Sequence, residues 1–219
     1  MKTAIIIPVM NEELALSKLL DEMPKEYLEN TIVVSNGSTD NTSKITKEKG
    51  AYVIETEAGY GRACLVGIDY CKKINPDVVI FMDGKYTDDP KDIPKFINEI
   101  NEGYDFVLGT RGGFGYSHQK FGNKLAVFLI KLFWKYEYTD LGPYRAIKFD
   151  KLLKLDMKDK NFGWTVEMQI RAAKKKLKFS EIKVNQRKRI GKSKISGTTS
   201  GTIKAGSKIL WVVFRELFI

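Results

Sequence analysis

The sequence predicts an α/β domain: a mostly parallel central sheet with helices on both faces. Five short apolar runs, at residues 3–7, 31–34, 51–54, 78–82 and 106–108, succeed one another through the first half of the chain. Single segments of helical character separate them, the arrangement that parallel sheets require. Glycines and acids gather just after the runs, where ligands bind in such sheets.

Residues 3–7 form a buried strand that Pro8 should end. Residues 12–22 follow with helical spacing at Leu14, Leu16, Leu19, Leu20 and Met23. The strand at 31–34 leads into the turn Asn36-Gly37-Ser38 and a polar helix at 41–49. The strand at 51–54 precedes a glycine-bearing loop and a helix from Arg62 to about Ile74. The strand at 78–82 precedes a helix at 91–102 that starts behind Pro90, and 106–108 is the fifth strand. Beyond residue 115 the alternation fails. An apolar helix at 120–135, a tight turn and short strand within 139–149, a helix at 164–176 and an alternating strand at 178–184 extend the same domain. They supply the second wall of a cleft.

A chain of 219 residues with 43% hydrophobic content supports one domain with a substantial core. Residues 1–200 are expected to form it, with 201–219 an apolar and basic helix. The net charge of +10 is uneven: residues 171–219 hold 14 Lys/Arg against Glu181 and Glu216, while the first 170 residues are near neutral. Such a tail suits an anionic partner. Nucleic acid is disfavoured, because Phe179 is the only aromatic between Arg171 and Thr202. A dinucleotide-dependent oxidoreductase is excluded, since residues 8–13 contain no glycine. Cys64 and Cys71 give no disulfide framework and suit small core positions; the lone His118 excludes a histidine-rich metal site. The apolar run at 4–9 is too short for a signal peptide, and no stretch reaches the roughly 20 apolar residues of a span. A soluble or peripheral protein is expected.

Candidate chemistry lies after the strands. Asp83-Gly84-Lys85, with Asp88-Asp89-Pro90, ends the fourth strand. A carboxylate there can hold a metal–diphosphate group, because hard cations take oxygen ligands shared with substrate phosphates. It can equally cap the following turn. Residues 36–42 (Asn-Gly-Ser-Thr-Asp-Asn-Thr) read as a turn plus a helix cap. Arg187 to Lys194 carry five bases in eight residues with Gly191 and Ser193 interleaved, which suits a phosphate clamp or a solvated loop.

Three segments in order, Ile5-Ile6-Ile7-Pro8-Val9-Met10-Asn11-Glu12-Glu13, Asn36-Gly37-Ser38-Thr39-Asp40-Asn41-Thr42 and the Asp83 loop, resemble the nucleotide-binding half of inverting glycosyltransferases of family 2, which have a GT-A fold. Thr139 to Ile147, Phe162 to Met168 and Arg187 to Lys194 resemble the acceptor side of the polyprenyl-phosphate branch, relatives of dolichyl-phosphate mannose and glucose synthases. The resemblance covers essentially the whole chain. It implies a hexosyltransferase moving sugar from a UDP- or GDP-sugar to a lipid-phosphate acceptor, cytoplasmic and peripheral to an anionic membrane surface. A hydroxyl acceptor, or a catalytically impaired sugar-nucleotide binder, is the alternative.

By the same resemblance, Pro8, Asn11, Glu12, Ser35, Gly37 and Ser38 border the base and ribose. Gly61 and Arg62 lie near the nucleotide, and Asp83 and Gly84 near the diphosphate and a Mg2+ or Mn2+ ion. Arg111 lies over the sugar. Asp140, Arg145, Trp164 and Glu167 face sugar and acceptor, and Arg187, Arg189, Ser193 and Lys194 meet phosphates. Asp140 and Glu167 are the candidate bases should the acceptor be a hydroxyl. Glu167 can alternatively pair with Arg171 four residues on. Two departures stand out. Lys85 occupies the place of an acid; it repels a divalent cation and can itself neutralise a diphosphate. Ser35 stands where relatives carry a base-contacting aspartate. The apolar stretch 209–214 suits an interfacial helix, a core helix or an oligomer contact alike.

Overall fold

The computed structural model describes the backbone of residues 1–111, 117–191 and 199–219, and the side chains of 1–111, 122–191 and 206–219. Strands and helices alternate through the first half as the sequence predicts. They are β1 (Thr3–Val9), α1 (Glu13–Asp21), α2 (Lys25–Leu28), β2 (Thr31–Asn36), α3 (Thr42–Glu48), β3 (Tyr52–Thr56), α4 (Tyr60–Ile74), β4 (Val78–Phe81), a 3-10 turn (Pro90–Asp92), α5 (Ile93–Asn101) and β5 (Phe106–Arg111). The second half adds α6 (Ser117–Trp134), β6 (Arg145–Lys148), α7 (Phe149–Leu155), α8 (Trp164–Lys174), β7 (Phe179–Val184) and α9 (Thr199–Leu217).

The strands form one sheet in the order β3-β2-β1-β4-β6-β5-β7. Pairings are parallel except at β6, which runs antiparallel to both β4 and β5. Successive residues of β1 feed two cores. Ala4 and Ile6 face α4 and the second-half helices; Ile5, Ile7 and Val9 face α1 and α5. Burial on both faces is why β1 is a continuous apolar run rather than an alternating one.

Pro8 does not end β1. It pairs in register with Val34, and the strand continues to Val9. The Ile5 N–H donates toward β2, at Asn30, whereas Ile6 O accepts from Met82 beside β4. By alternation the missing Pro8 N–H falls on the β4 side, past the last β4 pair at Ile6. Proline is tolerated where no ladder bond is lost.

The terminal helix is part of the domain. Val212 and Val213 of α9 are fully buried in the core shared with α4, α6 and α8. Arg171 of α8 donates to Glu216 Oε1 at 3.0 and 3.2 Å. Among the described residues no helix is long and apolar enough to cross a membrane.

Candidate active site

The carboxyl ends of β1 and β2 are tied by reciprocal side-chain to backbone bonds. The Asn11 N–H donates to Ser38 Oγ (3.0 Å), and the Thr39 N–H to Asn11 Oδ1 (2.6 Å). The Glu12 N–H donates to Thr42 Oγ1 (3.0 Å), the Glu13 N–H to Asp40 Oδ2 (3.2 Å) and the Asn41 N–H to Glu13 Oε2 (3.0 Å). Short polar residues fill both loops because each must satisfy the other's backbone. Asn11 and Gly37 take left-handed φ of 51° and 79°, a conformation asparagine and glycine tolerate.

Asn36, the last residue of β2, joins three loops. Its Nδ2 donates to Val9 O (2.6 Å), and its Oδ1 accepts the Gly59 N–H (3.2 Å). Ser35 is buried within the strand, so Asn36 is the residue that reaches the cleft.

After β4 the acidic loop closes on itself. The Asp83 N–H donates to Asp88 Oδ2 (2.8 Å), and Lys85 Nζ lies 2.8 Å from Asp83 Oδ2. Asp88 is buried; burial first, then the Asp83 charge, pushes its carboxyl up to about 7. The basic segment after β7 then pairs with this loop. Gln186 bridges Asp88, the Arg187 N–H donates to Thr87 O (2.9 Å), and the Ile190 N–H reaches Lys85 O (3.4 Å). This short ladder brings Arg189 across the cleft, where its Nη2 donates to Glu12 Oε1 (2.6 Å).

Residues 159–163 form another wall. Asp159 Oδ1 accepts from the Asn161 (2.8 Å) and Gly163 (3.1 Å) N–H groups. The result is a cleft of about 330 Å³ lined by Pro8, Val9, Met10, Glu12, Asn36, Ala58, Gly59, Tyr60, Asp83, Lys85, Asn161, Phe162 and Arg189. Five residues singled out in the sequence, Pro8, Glu12, Asp83, Lys85 and Arg189, therefore meet at one edge of the sheet, with Asn11, Gly37 and Ser38 in the adjoining interlock. Asn36, Tyr60, Asn161 and Phe162 were not singled out individually. Asn36 and Phe162 do lie within the segments that carry the resemblance, and Tyr60 lies in the glycine-bearing stretch that also holds Gly61 and Arg62.

Other singled-out residues do different work. Trp164 is buried and packs on Phe81, ring centroids 5.9 Å apart. Arg145 is fully buried and donates to the carbonyls of Thr165 (3.0 Å), Leu141 (3.3 Å) and Gly142. Burial pulls its guanidinium down to about 10. Glu167 is fully buried beneath α9. It accepts from the Lys158 and Asp159 N–H groups (3.1 and 2.8 Å), and pairs with Arg215 (2.6 Å) and Arg171 (3.3 Å). The expected partner Arg171 is there, but in the interior rather than on the surface. A Cβ at Gly61 would overlap Asp159 O, and one at Gly84 would strike Val9, so both glycines permit close packing. Arg62 pairs with Glu57 (2.7 Å). Arg187 pairs with Glu22 and Asp89 and stacks over Tyr86 at 4.9 Å, which anchors the basic segment. Ser193 and Lys194 lie outside the described residues.

Arg111 and Asp140 form a bidentate pair: Nε donates to Oδ2 (2.9 Å) and Nη2 to Oδ1 (2.7 Å). Asp140 also accepts from the Arg111 N–H (3.1 Å), Asn123 Nδ2 (2.9 Å) and the Leu141 N–H (2.7 Å). Burial alone would raise its carboxyl, but the Arg111 guanidinium and these backbone donors hold it below the usual carboxylate range.

The sequence pattern of glycosyl transferase family 2 matches residues 4–162. The chain belongs to glycosyltransferase family 2. This family 2 transferase is 30% identical to an uncharacterized glycosyltransferase of Mycobacterium tuberculosis over 207 residues, covering 92% of this chain and 93% of that one. It is 30% identical to a dolichyl-phosphate hexose transferase of Haloferax volcanii over 225 residues, covering 97% and 94%. Its fold matches glucosyl-3-phosphoglycerate synthase of M. tuberculosis, solved with Mg2+ and UDP, with a TM-score of 0.80. That match is 16% identical and spans 100% of this chain and 80% of the other; it establishes the GT-A fold.

Structures of the fold thus hold divalent cations, but the acids of this transferase do not fit one. Asp83 carries an ammonium on Oδ2, Asp88 holds the Asp83 N–H, Asp89 holds Arg187 and the Lys91 N–H, and Glu12 holds Arg189. Among the described residues no group of three or more His, Cys, Asp or Glu side chains is arranged to hold a metal ion.

Proposed function

We propose that this transferase moves a hexose from a UDP- or GDP-sugar to a polyprenyl-phosphate-type lipid with inversion, docked at the cytoplasmic face of an anionic membrane. The carrying observation is the single cleft where Glu12, Asn36, Asp83, Lys85 and Arg189 meet. Pro8, Asn36 and the Asn11–Ser38 interlock border the nucleoside. Lys85 and Arg189 face the diphosphate and stabilise the charge that develops as it leaves.

The state of Asp140 favours an anionic acceptor. A hydroxyl acceptor needs a base, and a carboxylate that already receives Arg111, Asn123 and Leu141 is a poor proton acceptor. A phosphate oxygen is anionic at neutral pH and needs no such help.

The membrane reading rests on α6 and α9, which pack together. Phe128, Leu132 and Phe133 of α6, with Trp211, Phe214 and Leu217 of α9, are exposed, and Phe218 and Ile219 follow. Lys208 and Arg215 lie over the Trp211 ring at 4.2 and 5.0 Å. Exposed apolar and aromatic side chains among bases suit the boundary of an anionic bilayer.

The experiment is transfer of radiolabelled sugar from UDP- and GDP-hexoses to polyprenyl phosphate in vesicles. Label in a mild-acid-labile lipid is the expected product. Label that goes only to hydroxyl acceptors refutes the lipid-phosphate assignment, and no transfer from any nucleotide-sugar refutes the donor assignment.

A further inference from the structure

We propose that Lys85 and Arg189 take the place of a divalent cation in this transferase, so that it binds the nucleoside diphosphate without metal. The inference deepens the nucleotide-sugar reading and rests on it.

Three observations carry it. The residue two beyond Asp83 is a lysine, and its ammonium sits 2.8 Å from Asp83 Oδ2. A divalent ion on Asp83 would have to share that carboxylate with a fixed positive charge. Hard cations need several oxygen ligands, preferably anionic. The neighbouring acids are already committed: Asp88 Oδ2 to the Asp83 N–H, Asp89 Oδ1 to Arg187 and Glu12 Oε1 to Arg189.

The second cation is brought in by backbone pairing. The bonds from Arg187 N–H to Thr87 O and from Ile190 N–H to Lys85 O fix the basic segment along the acidic loop. Residue 189 lies between those two anchors, and its guanidinium enters the cleft that Lys85 also lines. A compact ammonium on one side and a planar fork on the other can share the two negative charges of a diphosphate. A metal ion does the same by bridging phosphate oxygens to carboxylates. Here Asp83 plays the carboxylate's part by orienting Lys85 rather than by ligating an ion.

The test is calorimetric titration of UDP and GDP into the full chain, with EDTA and separately with Mn2+. The parent protein should bind with affinities that agree within about threefold between the two conditions. Lys85→Asp, which restores an acid, should lose about tenfold or more in EDTA and recover with Mn2+. Lys85→Met, which fits the same space without charge, should lose affinity in both conditions; it carries the test alone if the aspartate variant does not fold. Parent binding that requires Mn2+ overturns the inference while leaving the nucleotide reading intact. So does undiminished binding by Lys85→Met in EDTA. Absence of UDP and GDP binding in every condition overturns the nucleotide reading, and this inference with it.

Discussion

Arg189 Nη2 lies 2.6 Å from Glu12 Oε1, which joins the segment after β7 to the end of β1 across the whole width of the cleft. The two residues are 177 positions apart in the chain. Their pairing holds a guanidinium in the cleft proposed for the diphosphate, where an anionic ligand can draw it away from the carboxylate.

Arg189→Ala should therefore weaken UDP or GDP binding by about tenfold to a hundredfold, the 1.4–3 kcal/mol expected for one charge-assisted contact. Glu12→Gln, which keeps the shape and releases the arginine from its ion pair, should weaken binding less than Arg189→Ala does. Calorimetry decides both. Equal affinity in parent and Arg189→Ala would remove the arginine from the donor site.

Glu167 is predicted to matter for stability. Its carboxylate satisfies two backbone N–H groups and two arginines in the interior. Removing one partner from a buried ionic network costs about 3–5 kcal/mol. Glu167→Ala should lower unfolding free energy by that amount in urea titrations. Glu167→Gln, whose amide oxygen still accepts from the 158–159 turn, should cost about half as much. If Glu167→Ala folds as stably as the parent yet loses turnover, the residue acts in chemistry instead.

The contrast between Glu12 and Glu167 shows what the sequence could reveal. Local order was legible: apolar runs bounded by glycine and proline marked the strands, and Asn11, Ser38 and Asp83 sat at their ends because loop chemistry is local. Side-chain direction in the second half was not. Glu167 and Arg145 look like site residues in a linear string. Their burial depends on where α9 docks and on the antiparallel insertion of β6 between β4 and β5; the sequence pattern marks the helix and the short strand but not their placement. Asn36 was missed for a smaller reason: a one-residue difference at the end of β2 decides which side chain points into the cleft, because strand side chains alternate. The helix α2 was missed because it is four residues long with none buried, so it leaves no periodic signal.

Asp88 gives a pH dependence whose sign is fixed. Its carboxyl rises from an ordinary 3.8 to about 7 in the folded protein. Between those values the folded state binds more protons than the unfolded one, so stability falls as pH rises from about 4 to about 7. Asp88→Asn removes the charge that the interior penalises, and its amide oxygen can still accept the Asp83 N–H. The variant should be more stable than the parent above neutrality by about 1 kcal/mol or more, and its stability should vary less across the same range. Asp140 and Glu216 act oppositely: their carboxyls are held low in the folded state, so their contribution is present at neutral pH and lost in acid. Urea titrations from acid to slightly alkaline pH separate the two effects. A parent profile that climbs steadily through neutrality would contradict the Asp88 assignment.

The exposed face of α6 and α9 makes a prediction independent of the cleft. Phe128, Trp211 and Phe214 are each more than half exposed, at 59%, 51% and 51%. Replacing them together with serine should lower the thermal midpoint without abolishing the cooperative transition, since about half of each ring's surface packs on the domain. If these rings enter the bilayer boundary, each contributes about 1 kcal/mol of apolar transfer, so the triple variant should co-sediment with anionic vesicles about a hundredfold more weakly. The lysines and arginines around them add a component that salt screens over about 10 Å. Binding of the parent should therefore weaken with ionic strength and in neutral vesicles, while the ring contribution persists. A face that instead joins two copies of the chain would show as a dimer in analytical ultracentrifugation that the serine variant dissociates, with vesicle binding the same before and after substitution.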